Sequence, residues 1–121
     1  MKTFLLTLAL SLSLLFHSTA CFPFDGEVTG ATVTVVNSID MPDAMSFMIS
    51  KPVANCPAGY WLRYDGGPFA SSADTTKLYA NNKAVLAALL TALASGKPVT
   101  VYAYNVVGGV CRVQAVYVTN L

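Results

Sequence analysis

Ala84-Val85-Leu86-Ala87-Ala88-Leu89-Leu90-Thr91-Ala92-Leu93-Ala94-Ser95-Gly96-Lys97-Pro98-Val99 decides how the chain is read. Leu86, Leu89, Leu90 and Leu93 stand at i, i+3, i+4 and i+7, which winds them into one apolar stripe on a helix. Alanine and leucine lead the helix propensities, and alanines fill most of the positions between. Gly96 suits the left-handed residue that follows a helix, and Pro98 prevents continuation. Asn81 or Asn82 caps the start, with an earlier turn through Lys77-Leu78-Tyr79 as the alternative.

Outward from this helix the chain reads as strands. Residues 99–104 form one, Val107-Gly108-Gly109 turns, and residues 110–118 alternate as the last, Val110, Arg112 and Gln114 against Cys111, Val113 and Ala115. On the N-terminal side, residues 28–36 alternate valine and threonine, with Thr32 and Thr34 on one face and Val33 and Val35 on the other. Residues 45–49 and 60–64 are bracketed by turn chemistry at Asp40-Met41-Pro42-Asp43, Lys51-Pro52 and Asp65-Gly66-Gly67-Pro68, and residues 69–76 read as loop. The fold class is therefore mainly β with one α-helix. Three strands, a helix between strands 3 and 4, and two more strands is the order of an OB-type five-stranded barrel. A β-sandwich lacks the helix and a ferredoxin-like fold needs two.

At 121 residues, 55% hydrophobic and only 11% charged, the chain is long enough for one core and too short for two. Part of it reads as a leader. Lys2, an apolar run from Phe4 to Phe16 and Ser18-Thr19-Ala20 are the three parts of a secretory signal peptide over residues 1–20, followed by a single domain over 21–121. Loss of Lys2 and His17 leaves six basic and six acidic side chains and no histidine. A neutral chain without a basic run is a poor nucleic-acid ligand. Without histidine there is no Ser-His-Asp or Cys-His unit and no histidine-bearing zinc site, so no enzyme, metal or cofactor is expected.

Export also governs the cysteines. Cys56 and Cys111 are expected to form a disulfide, two buried thiols being the alternative. Cys21 would be the first residue after cleavage, either lipidated, as in an outer-membrane lipoprotein, or an odd thiol in a secreted or periplasmic protein.

The acidic residues form no motif for a glycosidase pair or a calcium loop. Aromatics carry more information. Tyr60, Trp61, Tyr64, Tyr102, Tyr104 and Tyr117 fall in or beside strands; Tyr102 and Tyr104 share a strand face, as do Tyr60, Leu62 and Tyr64. A tyrosine joins an apolar ring to a hydrogen-bonding tip, which suits either core packing or stacking on a sugar.

Asp25-Gly26-Glu27-Val28-Thr29-Gly30, Ile39-Asp40 before Phe47, Cys56, Trp61, and Ser95-Gly96-Lys97-Pro98-Val99 with Tyr102 together resemble the binding subunits of AB5 toxins of the subtilase-cytotoxin type. The chain is similar also to a broader set of small exported bacterial proteins with the same helix end. The toxin resemblance implies an OB-fold homopentamer that binds cell-surface glycans and accompanies a catalytic A subunit. It also implies a sugar site at Asp25 and Thr29. The tyrosine of the fourth strand that contacts the sugar in that family falls at or beside Ala103, where Tyr102 or Tyr104 can compensate. A small periplasmic or lipid-anchored interaction protein on the same fold, without a sugar site, is the alternative.

The leader reading has a direct check. N-terminal sequencing of the mature protein should begin at Cys21; a different first residue, or a retained leader, contradicts it.

Overall fold

The β-branched residues enter strands as expected, but the Val/Thr run over 28–36 divides in two. In the computed structural model, which describes residues 24–119, β1 covers Gly26–Ala31 and β2 covers Val33–Asn37, with Thr32 alone between them. The expected leader and Cys21 lie outside the described residues. β3 (Met45–Ile49) and β4 (Leu62–Tyr64) follow, then a 3-10 turn at Gly67–Phe69, α1 (Thr75–Ser95), β5 (Val99–Ala103) and β6 (Cys111–Val118).

The six strands form one sheet in the order β1-β5-β6-β4-β3-β2. Pairing is antiparallel except between β4 and β6, which run parallel. The fold is mainly β with a single helix, and the sheet is open, not the closed five-stranded barrel that the strand order predicts. β1 and β2 are its two edges. The extra strand comes from the corner at Thr32. Its N–H donates to Ser50 Oγ at 3.0 Å and its carbonyl accepts the Ser50 N–H at 3.0 Å, so Ser50 holds the residue where the run turns from one edge to the other.

Simple alternation fails at three bulges. Val28 faces Val101 and Ala31 faces Val99, so β1 carries one residue too many, at a place where Gly30 has φ 66°. In β2, Val33 faces Ile49 while Val35 faces Met48; Thr34 is the surplus residue, and Val36 rather than Val35 packs on the core. In β6, Ala115 faces Tyr102 but Val113 faces Ala103, which leaves Gln114 extra. Beyond it the inward and outward faces exchange, so Val116 and Val118 pack on the core and Tyr117 points out.

Helix α1 begins earlier than Asn81. The Asp74 carboxylate accepts from Thr76 N–H at 3.1 Å and Lys77 N–H at 3.3 Å, an N-cap that the loop reading of residues 69–76 overlooks. Gly96 ends the helix in the left-handed region, as expected, with φ 68°. The leucine stripe is corrected in part. Leu89, with Asn82 and Ala92, is buried, while Leu90 and Leu93 are 48% and 39% exposed. A helix that is apolar on nearly every side does not reveal from leucine spacing alone which side meets the sheet.

Phe47, Met45, Ile49, Leu62, Tyr64, Val99, Val101 and Val113 fill the core with Leu89. The Cys56–Cys111 disulfide is present, with both residues buried and a Cα separation of 6.3 Å. It ties the Val53–Cys56 turn to the start of β6. Closing a loop over a sequence separation of 55 contributes about 4 kcal/mol in the chain-entropy model. The double variant Cys56→Ala/Cys111→Ala should therefore lose about 4 kcal/mol in urea unfolding. Alkylation without reductant should leave Cys56 and Cys111 unmodified by intact mass; labelling of both would refute the bridge.

Candidate functional site

The outer wall of β1, β5 and β6 gathers the polar and aromatic side chains that the core rejects. Val99, Val101 and Ala103 alternate inward, which turns Tyr102 to the opposite face of β5. Glu27 lies directly across the ladder from Tyr102, and the bulge at Gln114 brings Tyr117 onto the same wall. Tyr102 stacks obliquely on Phe24, centroids 4.6 Å apart at 56°, and meets Tyr117 edge-on at 5.8 Å and 84°.

These rings border a cleft of about 550 Å³, lined also by Glu27, Gln114, Ala115 and Pro68. Burial of the phenol and the facing Glu27 carboxylate both push the Tyr102 pKa up, so Tyr102 stays a neutral hydrogen-bonding group through the physiological range. The cleft thus combines three aromatic faces, one carboxylate and one carboxamide. It can stack on a flat apolar ring face and hydrogen-bond that ring's polar rim.

Tyr104 lies two residues along the strand and lines a second, more polar cleft of about 360 Å³. Its hydroxyl donates to Gln114 Oε1 at 2.6 Å, and Gln114 lines both clefts. Arg112 and Asp65, an ion pair, form the far side.

Asp25 and Thr29, the residues implied by the toxin resemblance, are both exposed on β1 or just before it, and neither lines either of these two clefts. Asp25 is engaged structurally. Its carboxylate accepts the Asn105 N–H at 2.8 Å and its own N–H donates to Ala103 O at 2.9 Å, which pins the beginning of the domain to the end of β5. Thr29 sits in the β1 bulge, where its carbonyl accepts from Lys51 Nζ at 3.2 Å. Of the four expected ligand contacts, Tyr102 and Tyr104 border neighbouring clefts, Thr29 stands on the strand that carries Glu27, and Asp25 immediately precedes that strand. The expected shared face of Tyr60, Leu62 and Tyr64 does not form, because β4 starts only at Leu62; Leu62 and Tyr64 are buried while Tyr60 is exposed.

Sequence reasoning leaves out Phe24, Glu27 and Gln114 as ligand contacts, and names Tyr117 only among the strand aromatics. Glu27 was legible from the alternation of β1, midway between Asp25 and Thr29. Tyr117 was not, because unbroken alternation of β6 points it inward. Among the described residues, no group of three or more His, Cys, Asp or Glu is placed to hold a metal ion. No protein-family model and no curated protein matches the sequence. The toxin resemblance accordingly rests on its short motifs.

If Asp25 is a clamp, Asp25→Ala should lower unfolding stability by about 1 kcal/mol, whereas Thr29→Val should stay within about 0.5 kcal/mol of the parent. Equal stability of Asp25→Ala and the parent in urea would remove the clamp.

Proposed function

We propose that the protein is an exported glycan-binding module that seats a sugar ring against Phe24, Tyr102 and Tyr117, anchoring or delivering through cell-surface sugars as AB5 binding subunits do. The observation that carries this reading is the aromatic cleft of about 550 Å³ with Glu27 and Gln114 at its border. Pyranose rings offer an apolar C–H face to an aromatic and a rim of hydroxyls to carboxylate and carboxamide groups. The neutral balance of six acids and six bases after loss of Lys2 fits an uncharged or weakly charged ligand better than a polyanion.

We also read the domain as OB-type. Supporting this are the single bent run β1–β2 at both sheet edges, the parallel β4–β6 pair and the helix between β4 and β5. OB-type walls take oligosaccharides as well as oligonucleotides. A single open site of this kind binds at about the millimolar level, roughly −4 kcal/mol, so useful capture rests on several copies in one homo-oligomer, a pentamer on the toxin precedent.

Binding to immobilised glycans tests the assignment. Tyr102→Ala and Tyr117→Ala should each weaken binding about 10-fold, with Glu27→Gln weaker than the parent and Thr29→Val unchanged. Loss on Thr29→Val with Tyr117→Ala unaffected would move the sugar to the toxin-like position on β1. Folded parent protein that binds no glycan would instead favour the interaction-protein reading, for which exposed Leu90 and Leu93 provide contact surface.

A further inference from the structure

The end of the sheet that carries the disulfide exposes apolar side chains without charge. Residues 55–61 and 105–111 contain no Asp, Glu, Lys or Arg. Val107 and Val110 bracket a tight turn in which Gly108 and Gly109 have φ 62° and 77°, the left-handed pair that such a turn requires. Val107 is 78% exposed at its tip. Trp61 and Val110 immediately precede Leu62 and Cys111, which pair in parallel register and are buried; Trp61 and Val110 are themselves 42% and 40% exposed. Tyr60 closes the cluster by donating its hydroxyl to Gly109 O at 2.9 Å. The result is a tip of Val107 and Val110 flanked by Trp61 and Tyr60, fastened from within by Cys56–Cys111.

We infer that this end of the molecule is a membrane-contact surface that rests in the interfacial layer of a zwitterionic lipid bilayer. Tryptophan and tyrosine are the side chains enriched at the headgroup level, where the ring is in an apolar layer and its polar atom in a wet one. An uncharged valine tip between them enters that layer without desolvating an ion. No helix among the described residues is long and apolar enough to cross a membrane, so the contact is peripheral.

The lipid occupant is favoured over a second copy or a protein partner by where the preceding chain joins the fold. Asp25 bonds to Ala103 O and to the Asn105 N–H, and Asn105 Oδ1 accepts the Asn55 N–H at 3.2 Å. The first described residues therefore meet the body of the protein beside the two segments that carry the patch. Cys21 is four residues before Asp25, within about 14 Å by chain length alone. A lipid on Cys21, one of the two states considered from the sequence, would be attached within that reach of this end. The patch does not depend on the sugar reading, since none of its residues borders the aromatic cleft.

Trp61 is the only tryptophan in the chain and reports on the contact directly. The mature protein, as its producing cells process it, is titrated with phosphatidylcholine vesicles, with and without brominated acyl chains. The expected result is a blue shift of Trp61 emission and its quenching by the brominated lipid. Val107→Asp, at an exposed position and checked for folding by circular dichroism, should need about tenfold more lipid for the same shift. A Trp61 spectrum indifferent to vesicles overturns the inference even if the protein pellets with them, because attachment would then run through Cys21 alone. Equal titrations for parent and Val107→Asp overturn it as well. A shift that follows protein concentration without lipid assigns the patch to a second copy instead.

Discussion

Thr32 gives its N–H to Ser50 Oγ and takes the Ser50 N–H on its carbonyl, and this exchange sets how β1 leaves β2. Ala31 and Val33, on either side of it, are both buried. The corner therefore turns without exposing the core side of either strand. Since β1 pairs only with β5 and β2 only with β3, the registers of four strands are tied to one residue. β6 then joins β5 to β4, and the disulfide holds β6 to the turn ahead of β4. The helix seals the remaining side with Leu89 and Ala92.

Much of this was legible in the sequence, and what was not has identifiable causes. Residues 45–49 read as a strand and are one, because Met45, Phe47 and Ile49 all face the core of an unbroken strand. The Gly96-Lys97-Pro98 stop was legible because it depends on local backbone geometry alone. The start of the helix was obscured by two asparagines that look like caps but bond elsewhere, Asn81 to Tyr64 Oη at 2.6 Å and Asn82 to the Pro42 and Asp43 carbonyls at 2.8 and 2.9 Å. Bulges hid the rest. A period of two carries no mark where one residue is skipped, so Val35 was assigned to the wrong side of its strand and the face of Tyr117 could not be read. For the same reason the aromatic wall was legible through Tyr102 and not through its neighbour Tyr117.

Charge is scarce, and among the described residues two ion pairs hold part of it. Arg63 binds Asp40 at 2.8 Å and Arg112 binds Asp65, while Asp74 is committed to the helix cap. Exposed pairs of this kind contribute at most about 1 kcal/mol each, so stability rests on the core and the disulfide. Pairing nevertheless leaves the aromatic cleft with Glu27 as its one charged group and the valine tip with none. Binding of the ligands proposed for these two surfaces would then depend on shape and dehydration more than on long-range attraction, and high salt should alter it little.

The surplus Gln114 separates two demands that a regular strand couples. On an unbroken β6, every second residue after Val113 would serve the core, and Tyr117 could reach solvent only if Val116 and Val118 changed sides as well. With the bulge, the interior pattern restarts at Val116 while Gln114, Ala115 and Tyr117 belong to the outer wall. None of these three side chains belongs to the core cluster that Val113, Val116 and Val118 join. A change of side chain on the outer wall therefore need not be matched by one in the core.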